Sequence, residues 1–245
     1  MNIPSPHPVP VLAPIPVAER QPLTLFHQLQ DGDLVFIRSR TANAANIARL
    51  SNVEATDDDS PLSDKVFTHC GIVFKDGEDW KVYEAAGRGT DNHGRPIVYT
   101  LEEWQREEAK VGEVVKQPLH HVYVRRWNGM PPLDADKLRT IHNEAFRMHQ
   151  TGYDKGFCWT NHRTYCSELI WKAYGAAGLV FGQLPTMGHY VAALTQSSHE
   201  AAERVKAMIE AAKHEYRDGK GYDENESAIS PEDLFNSDAL ISVTD

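Results

Sequence analysis

The sequence predicts an α+β fold, a central antiparallel sheet packed against helices. Three observations carry this. Short apolar or alternating runs of strand length fill the first half: Leu34 to Ile37, Thr68 to Phe74, Trp80 to Ala85 and His120 to Arg126. Longer stretches with apolar residues at helical spacing fill the second: Asp134 to Gln150, Thr164 to Leu179 and Glu200 to Tyr216. Asp76 and Gly77 sit between two of the strand runs, where a hairpin needs its turn. Strands in the first half followed by helices in the second suit the α+β class.

Each element has a local reason. Residues 1–23 hold seven of the fourteen prolines, which reads as an extended arm ahead of the folded body. Leu23 to Leu29 reads as a short helix. Gly32 and Asp33 make a turn into the first strand. Residues 39–65 are rich in Ser, Asn and Asp, and read as a long surface loop at a site rim, with a helical turn from Ala42 to Leu50. In the next strand, alternation places His69, Gly71 and Val73 on one face and Cys70, Ile72 and Phe74 on the other. The returning strand puts Trp80, Val82 and Glu84 on one face, with positions 69 and 84 roughly opposite. Ala86 to Pro96 is a Gly-rich loop, Ile97 to Tyr99 a short strand and Leu101 to Glu108 a short helix.

Asp134 caps the first long helix, whose inward stripe is Leu138, Ile141, Ala145 and Met148, and Gly152 stops it. In the second, Leu169, Ile170, Ala173, Tyr174 and Ala177 form the stripe. Thr164 supplies the cap, Glu168 suits the positive end, and Gly178 ends the helix in a left-handed conformation. The last long helix turns Val205, Met208, Ile209 and Ala212 inward. From Asp218 onward there are eight acidic residues and one lysine, a net −7. That stretch reads as a tail that is mobile or laid over the surface. The expected organisation is therefore an arm (1–23), one body (24–217) and an acidic tail (218–245).

Composition narrows the function. The chain has 245 residues, 41% hydrophobic and 24% charged, as ordinary globular proteins do. A net charge of −10 argues against nucleic-acid binding. No stretch has the length of a membrane span, and no basic residue precedes Arg20 as a secretory signal would require. The expectation is a cytoplasmic protein, or one exported without a cleaved signal. Three cysteines, Cys70, Cys158 and Cys166, do not make a disulfide framework.

The chemistry gathers around Cys166. A helix N-terminus stabilises a thiolate, the reactive form of cysteine. Nucleophilic cysteine catalysis also needs an imidazole to share the proton and a polar group to orient it. His69 and Glu84, on neighbouring strands and turned to one side, fit those roles, and the Cys166 amide can serve as an oxyanion donor. Against this stand plainer readings: a buried core cysteine, a satisfied strand histidine and a solvent-facing glutamate.

Four segments occur in order: Gly-Asp-Leu-Val at 32–35, Thr-His-Cys-Gly-Ile-Val at 68–73, Val-Tyr-Glu-Ala at 82–85 and Tyr-Cys-Ser-Glu-Leu-Ile-Trp at 165–171. Together they resemble the circularly permuted branch of the NlpC-type papain-like cysteine hydrolases, the YiiX/YebB-like group, in which the histidine strand precedes the cysteine helix. Tyr153, Asp154 and Phe157 resemble the Tyr-Asp element ahead of the cysteine. The resemblance covers Asp31 to Leu179. It implies a permuted papain-like fold with Cys166 as nucleophile, His69 as base and then acid, and Glu84 orienting the imidazole. Tyr165, Tyr153 and Asp154 would belong to the substrate or oxyanion region. It also implies amide hydrolysis through a thioester, with a peptidoglycan fragment or an acyl amide as substrate, and no cofactor. An antibacterial effector with a secretion or immunity partner is one setting for such an enzyme, and a silent binding module of the same fold is a rival. Cys70 departs from the pattern; strand alternation predicts that it points away from the site and only packs. A further rival is a metal site built from the C-x3-H-x3-C spacing of Cys158, His162 and Cys166, with His69 as a fourth ligand.

Overall fold

The computed structural model describes residues 27–38, 66–86, 96–110, 122–216 and 221–243. The proline arm, the loop 39–65 and most of the Gly-rich loop lie outside the described residues, as does the start of the helix expected from Leu23; residues 27–28 are helical.

Among the described residues six strands form one antiparallel sheet: β1 (Leu34–Ile37), β2 (His69–Asp76), β3 (Asp79–Tyr83), β4 (Tyr99–Thr100), β5 (Tyr123–Trp127) and β6 (Leu240–Ser242), in the order β4-β3-β2-β1-β5-β6. β1 is apolar throughout because both of its faces are covered. Leu34 and Phe36 join a core with Cys70, Ile72 and the long helices; Val35 and Ile37 join a second core with Val73, Val82 and Trp104. Gly77 takes φ +62° in the hairpin between β2 and β3.

Helix α1 (Leu101–Lys110) covers the second face through Leu101 and Trp104. Helices α2 (Ala135–His149) and α3 (Cys166–Ala176) cover the first. Asp134 caps α2 by accepting the Lys137 N–H at 2.8 Å. Gly178 ends α3 at φ +75°, with the Leu179 N–H returning to the Tyr174 carbonyl at 3.1 Å, the two-bond closure that a left-handed glycine permits. The Tyr174 hydroxyl donates to the Gly32 carbonyl, tying α3 to the turn before β1.

Two helices follow, α4 (Met187–Ser197) and α5 (His199–Tyr216). The stretch holding α4 carried no sequence expectation. Its Tyr190, Val191 and Leu194 are buried against the first core. On α5, Val205, Ile209 and Ala212 are buried as their spacing predicts.

The acidic tail is the main correction. Residues 221–243 are part of the folded body: α6 (Pro231–Phe235) buries Leu234, and β6 pairs with β5 and buries Leu240. Net charge misled because Ile229, Leu234, Phe235 and Leu240 pack into or against the core, while Glu226 and Glu232 turn inward to accept the Trp159 and Phe67 N–H groups. Ser230 caps α6 by accepting the Asp233 N–H at 3.0 Å. No helix among the described residues is long and apolar enough to cross a membrane.

Candidate active site

Cys166 is the first residue of α3 and is 1% exposed. The cap ahead of it is Tyr165, not Thr164. The buried Glu168 carboxylate accepts the Tyr165 N–H at 3.2 Å, while the Thr164 hydroxyl accepts from Thr151 at 3.0 Å. Glu168 thus closes its own helix start. Burial pushes its carboxyl up to about 7, against the pull of the Lys172 ammonium 2.6 Å away.

His69 opens β2 and faces the second core, its ring 5.8 Å from the Trp104 ring. His69 Nε2 is hydrogen-bonded to Glu84 Oε2, which leaves Nδ1 as the nitrogen free to serve the thiol. The Trp104 indole N–H donates to the same carboxylate oxygen at 2.5 Å. His149 Nδ1–H donates to the Glu84 carbonyl at 2.7 Å, holding the backbone that carries the carboxylate. Nothing in the sequence singled out Trp104 or His149, since a lone Trp or His on a helix reads as ordinary core.

The His69–Glu84 contact is diagonal, not directly opposite. The ladder pairs Ile72 with Tyr83 and Val73 with Val82, so one step further Glu84 faces Gly71. A Cβ at Gly71 would lie 2.6 Å from Val82 Cγ1 and 3.6 Å from Glu84 Cβ. The missing side chain lets the carboxylate lean across to the imidazole.

Cys166 reaches this pair from the other side of the sheet. Helix α3 packs on the first face, the face that Cys70 shares. Alternation therefore places Cys70 opposite His69 as expected, but the inference that it points away from the candidate site fails: Cys166 lies in the core on the Cys70 side. The Cys70 side chain first, then His69 and the Ser167 N–H, pull the Cys166 thiol well below its ordinary value despite burial. Burial works against charge on His69, but the Glu84 carboxylate and the Cys166 sulfur outweigh it and raise the imidazole to about 9. Both shifts favour the thiolate–imidazolium form of the pair.

The folded value of His69 lies above its ordinary 6.5, so what the pair adds to stability is complete below that pH and is lost as pH rises through about 9. Glu84→Gln removes the charge that most favours imidazolium. The alkaline limb of kcat/KM should move to lower pH, with a loss on the order of ten- to a hundredfold. An unchanged profile would remove Glu84 from the pair.

The remaining sequence candidates are placed differently. Asp154 is fully buried; it accepts from Gly156 N–H at 2.8 Å, Cys158 N–H at 2.7 Å and the Asn161 side chain at 3.0 Å. It therefore shapes the loop rather than meeting substrate. That loop holds Phe157 at φ +51° with its ring edge-on to Tyr165, centroids 5.1 Å apart. Tyr153 bridges to Thr164 at the base of the loop and packs on the core. The Tyr165 hydroxyl accepts the Ile229 N–H at 3.1 Å, its backbone N–H goes to Glu168, and its side chain lines the pocket beside Cys166.

The former tail completes the site. Ser167 donates to the Ile229 carbonyl at 2.6 Å, and Glu232 accepts the Phe67 N–H at 2.8 Å, two residues before His69. Beside Cys166 lies a small, mostly apolar pocket lined by Phe157, Tyr165, Met187, Tyr190, Ile229 and Pro231, among others.

A family profile described as permuted papain-like amidase enzyme, YaeF/YiiX, C92 family, matches residues 28–244. The chain belongs to this family. Its activity is that of a cysteine-type amidase, and its fold is the permuted papain-like one that the order of motifs implied. The amidase match runs through the segment read as a tail, well past Leu179. YiiX of Escherichia coli K12, an uncharacterized protein, is 25% identical over 218 residues, covering 88% of this chain and 86% of that one. The crystal structure of YiiX from Escherichia coli O157:H7, described as a metalloprotein, is 24% identical with a TM-score of 0.60, covering 89% of this amidase and 97% of that chain. Among the described residues no three His, Cys, Asp or Glu side chains come together to hold a metal ion. The C-x3-H-x3-C spacing does not assemble, because Cys166 turns to His69 while the Cys158 sulfur pairs with the Thr160 hydroxyl at 3.8 Å.

Proposed function

We propose that Cys166 is the nucleophile of this amidase, His69 its proton carrier and Glu84 the group that orients and charges the imidazole. The convergence of these three side chains from α3, β2 and the end of β3 carries the reading. The thiolate adds to the amide carbonyl, with the Cys166 N–H at the helix start as a donor to the developing oxyanion. The imidazolium gives its proton to the departing amine and a thioester remains. Neutral His69 then takes a proton from water as it attacks, and the thiolate is released.

The acyl side of the substrate is an apolar group. Support comes from the pocket beside Cys166, whose described lining, the Cys166 sulfur apart, is aromatic, aliphatic and hydroxyl-bearing. A peptidoglycan peptide, the other substrate class the resemblance implies, carries carboxylates that such a wall would desolvate without a partner. Brief exposure to a small thiol-reactive electrophile near neutral pH should label Cys166 rapidly by intact mass, and His69→Ala should slow this at least tenfold. Slow labelling indifferent to His69 would favour a silent module. Side-by-side assays should then show faster hydrolysis of a medium-chain N-acyl amide than of a muropeptide; the reverse order would return the peptide substrate.

A further inference from the structure

The Glu84 carboxylate is buried, yet one of its oxygens serves donors from two different elements. Oε2 takes His69 Nε2 from β2 and the Trp104 indole N–H, at 2.5 Å, from α1. The chain is built to bring Trp104 there. β4 pairs with β3 through Tyr99 with Val82 and Thr100 with Lys81, and α1 starts at the next residue. Thr100 and Glu103 close that start reciprocally. The Thr100 N–H and hydroxyl each donate to Glu103 Oε2 at 2.9 Å, and the Glu103 N–H donates to Thr100 Oγ1 at 3.1 Å. Trp104 is thereby carried back over β3. It is fully buried in the second core with Val35, Ile37 and Val82, and its ring is tilted by 31° to the His69 ring. Among the described residues, the other titratable groups that bear on this pair are Cys166 from α3, Cys70 on the opposite face of β2 and, at the Glu84 carbonyl, His149 from α2.

We propose that Trp104 is a positioning residue for the amidase reaction: by sharing Glu84 Oε2, its indole N–H limits how firmly the carboxylate holds the proton of His69. The proposal rests on His69 and Glu84 being the acid–base pair of the site. A hydrogen bond to a carboxylate favours its charged form. That bond is strongest when the carboxylate stands beside a neutral imidazole, and weaker when imidazolium already offsets the charge. The indole therefore stabilises the pair more after His69 has given up its proton than before. His69 must surrender a proton to the departing amine and regain one from water. A buried carboxylate acting alone would hold the charged imidazole too firmly for the first of these steps. Tryptophan suits the role because its N–H is a donor only, so it can neither take the proton nor exchange roles as a hydroxyl could.

The test is the titration of the His69 ring, followed by NMR in the full chain. Trp104→Phe removes the N–H and keeps an aromatic ring in the core. The His69 midpoint should move up by about 0.5–1 pH unit, a three- to tenfold gain in proton affinity. That shift is opposite in sign to the one expected from Glu84→Gln. A packing role alone would lower the melting temperature and leave the midpoint in place, which would overturn the proposal. So would a downward shift. Should Trp104→Phe fail to fold, the parent suffices. Its Trp104 indole proton, assigned by its contacts with His69, should move downfield as pH rises through the His69 titration, because the carboxylate then turns more of its charge to the indole. An indole resonance that stays in place overturns the proposal. If the parent is labelled at Cys166 slowly and without regard to His69, the acid–base reading fails and takes this proposal with it. Fast, His69-dependent labelling with an unmoved midpoint in Trp104→Phe defeats only this proposal.

Discussion

Replacing Cys166 by alanine is expected to reduce amide turnover by on the order of 10⁴-fold or more, with the fold intact. The size follows from what is removed. Neither His69 nor Glu84 can form the thioester, and the remaining oxyanion donor and pocket accelerate only a direct attack by water. The fold should survive because the deleted sulfur is small. The α3 N-terminus is closed by Glu168 and Lys172 rather than by the thiol, and the stripe of Leu169, Ile170 and Ala173 is untouched. A stability cost of about 1 kcal/mol is expected. Circular dichroism with a steady-state assay decides the matter. Loss of folding would return Cys166 to the role of a core residue, and retained turnover would move the chemistry elsewhere.

Truncation after Tyr216 is expected to be as damaging, by another route. It deletes Ile229, Leu234 and Leu240 from the first core, and burial of each such side chain contributes about 1.5–3 kcal/mol. It also strips β5 of its outer partner and Phe67 of the Glu232 carboxylate. The sum is comparable to the whole stability of a typical domain, about 5–15 kcal/mol, so the truncated chain should be insoluble or melt without cooperativity. A truncated chain that melts like the parent would show that the segment is an appendage after all.

Much of the candidate site's geometry was legible because its parts are local. A cysteine after a capping position, followed by Leu169, Ile170 and Ala173, declares a helix start. His69 and Glu84 declare their common face through alternation with Val73 and Val82. Long-range placement was not legible. The Cys70 error did not come from alternation, which held. It came from not knowing which side of the sheet α3 would cover. Trp104 and His149 were invisible for the same reason, since each reaches Glu84 from a different helix. The last segment was misread because its apolar residues are few and irregularly spaced, and it is held by single contacts such as Ser167 to Ile229 that no periodicity announces.

The clamp formed by residues 221–243 also sets an order of events during synthesis. The histidine strand and the cysteine helix both leave the ribosome before the segment that ties them down. β6 must then return to β5 across more than a hundred residues; the Arg125 guanidinium donates to the Leu240 carbonyl at 3.2 Å over a separation of 115 positions. Closing so long a loop is slow compared with forming a helix. A nascent chain can therefore present the Cys166 thiol and the His69 imidazole before β6 has closed the sheet beside β5.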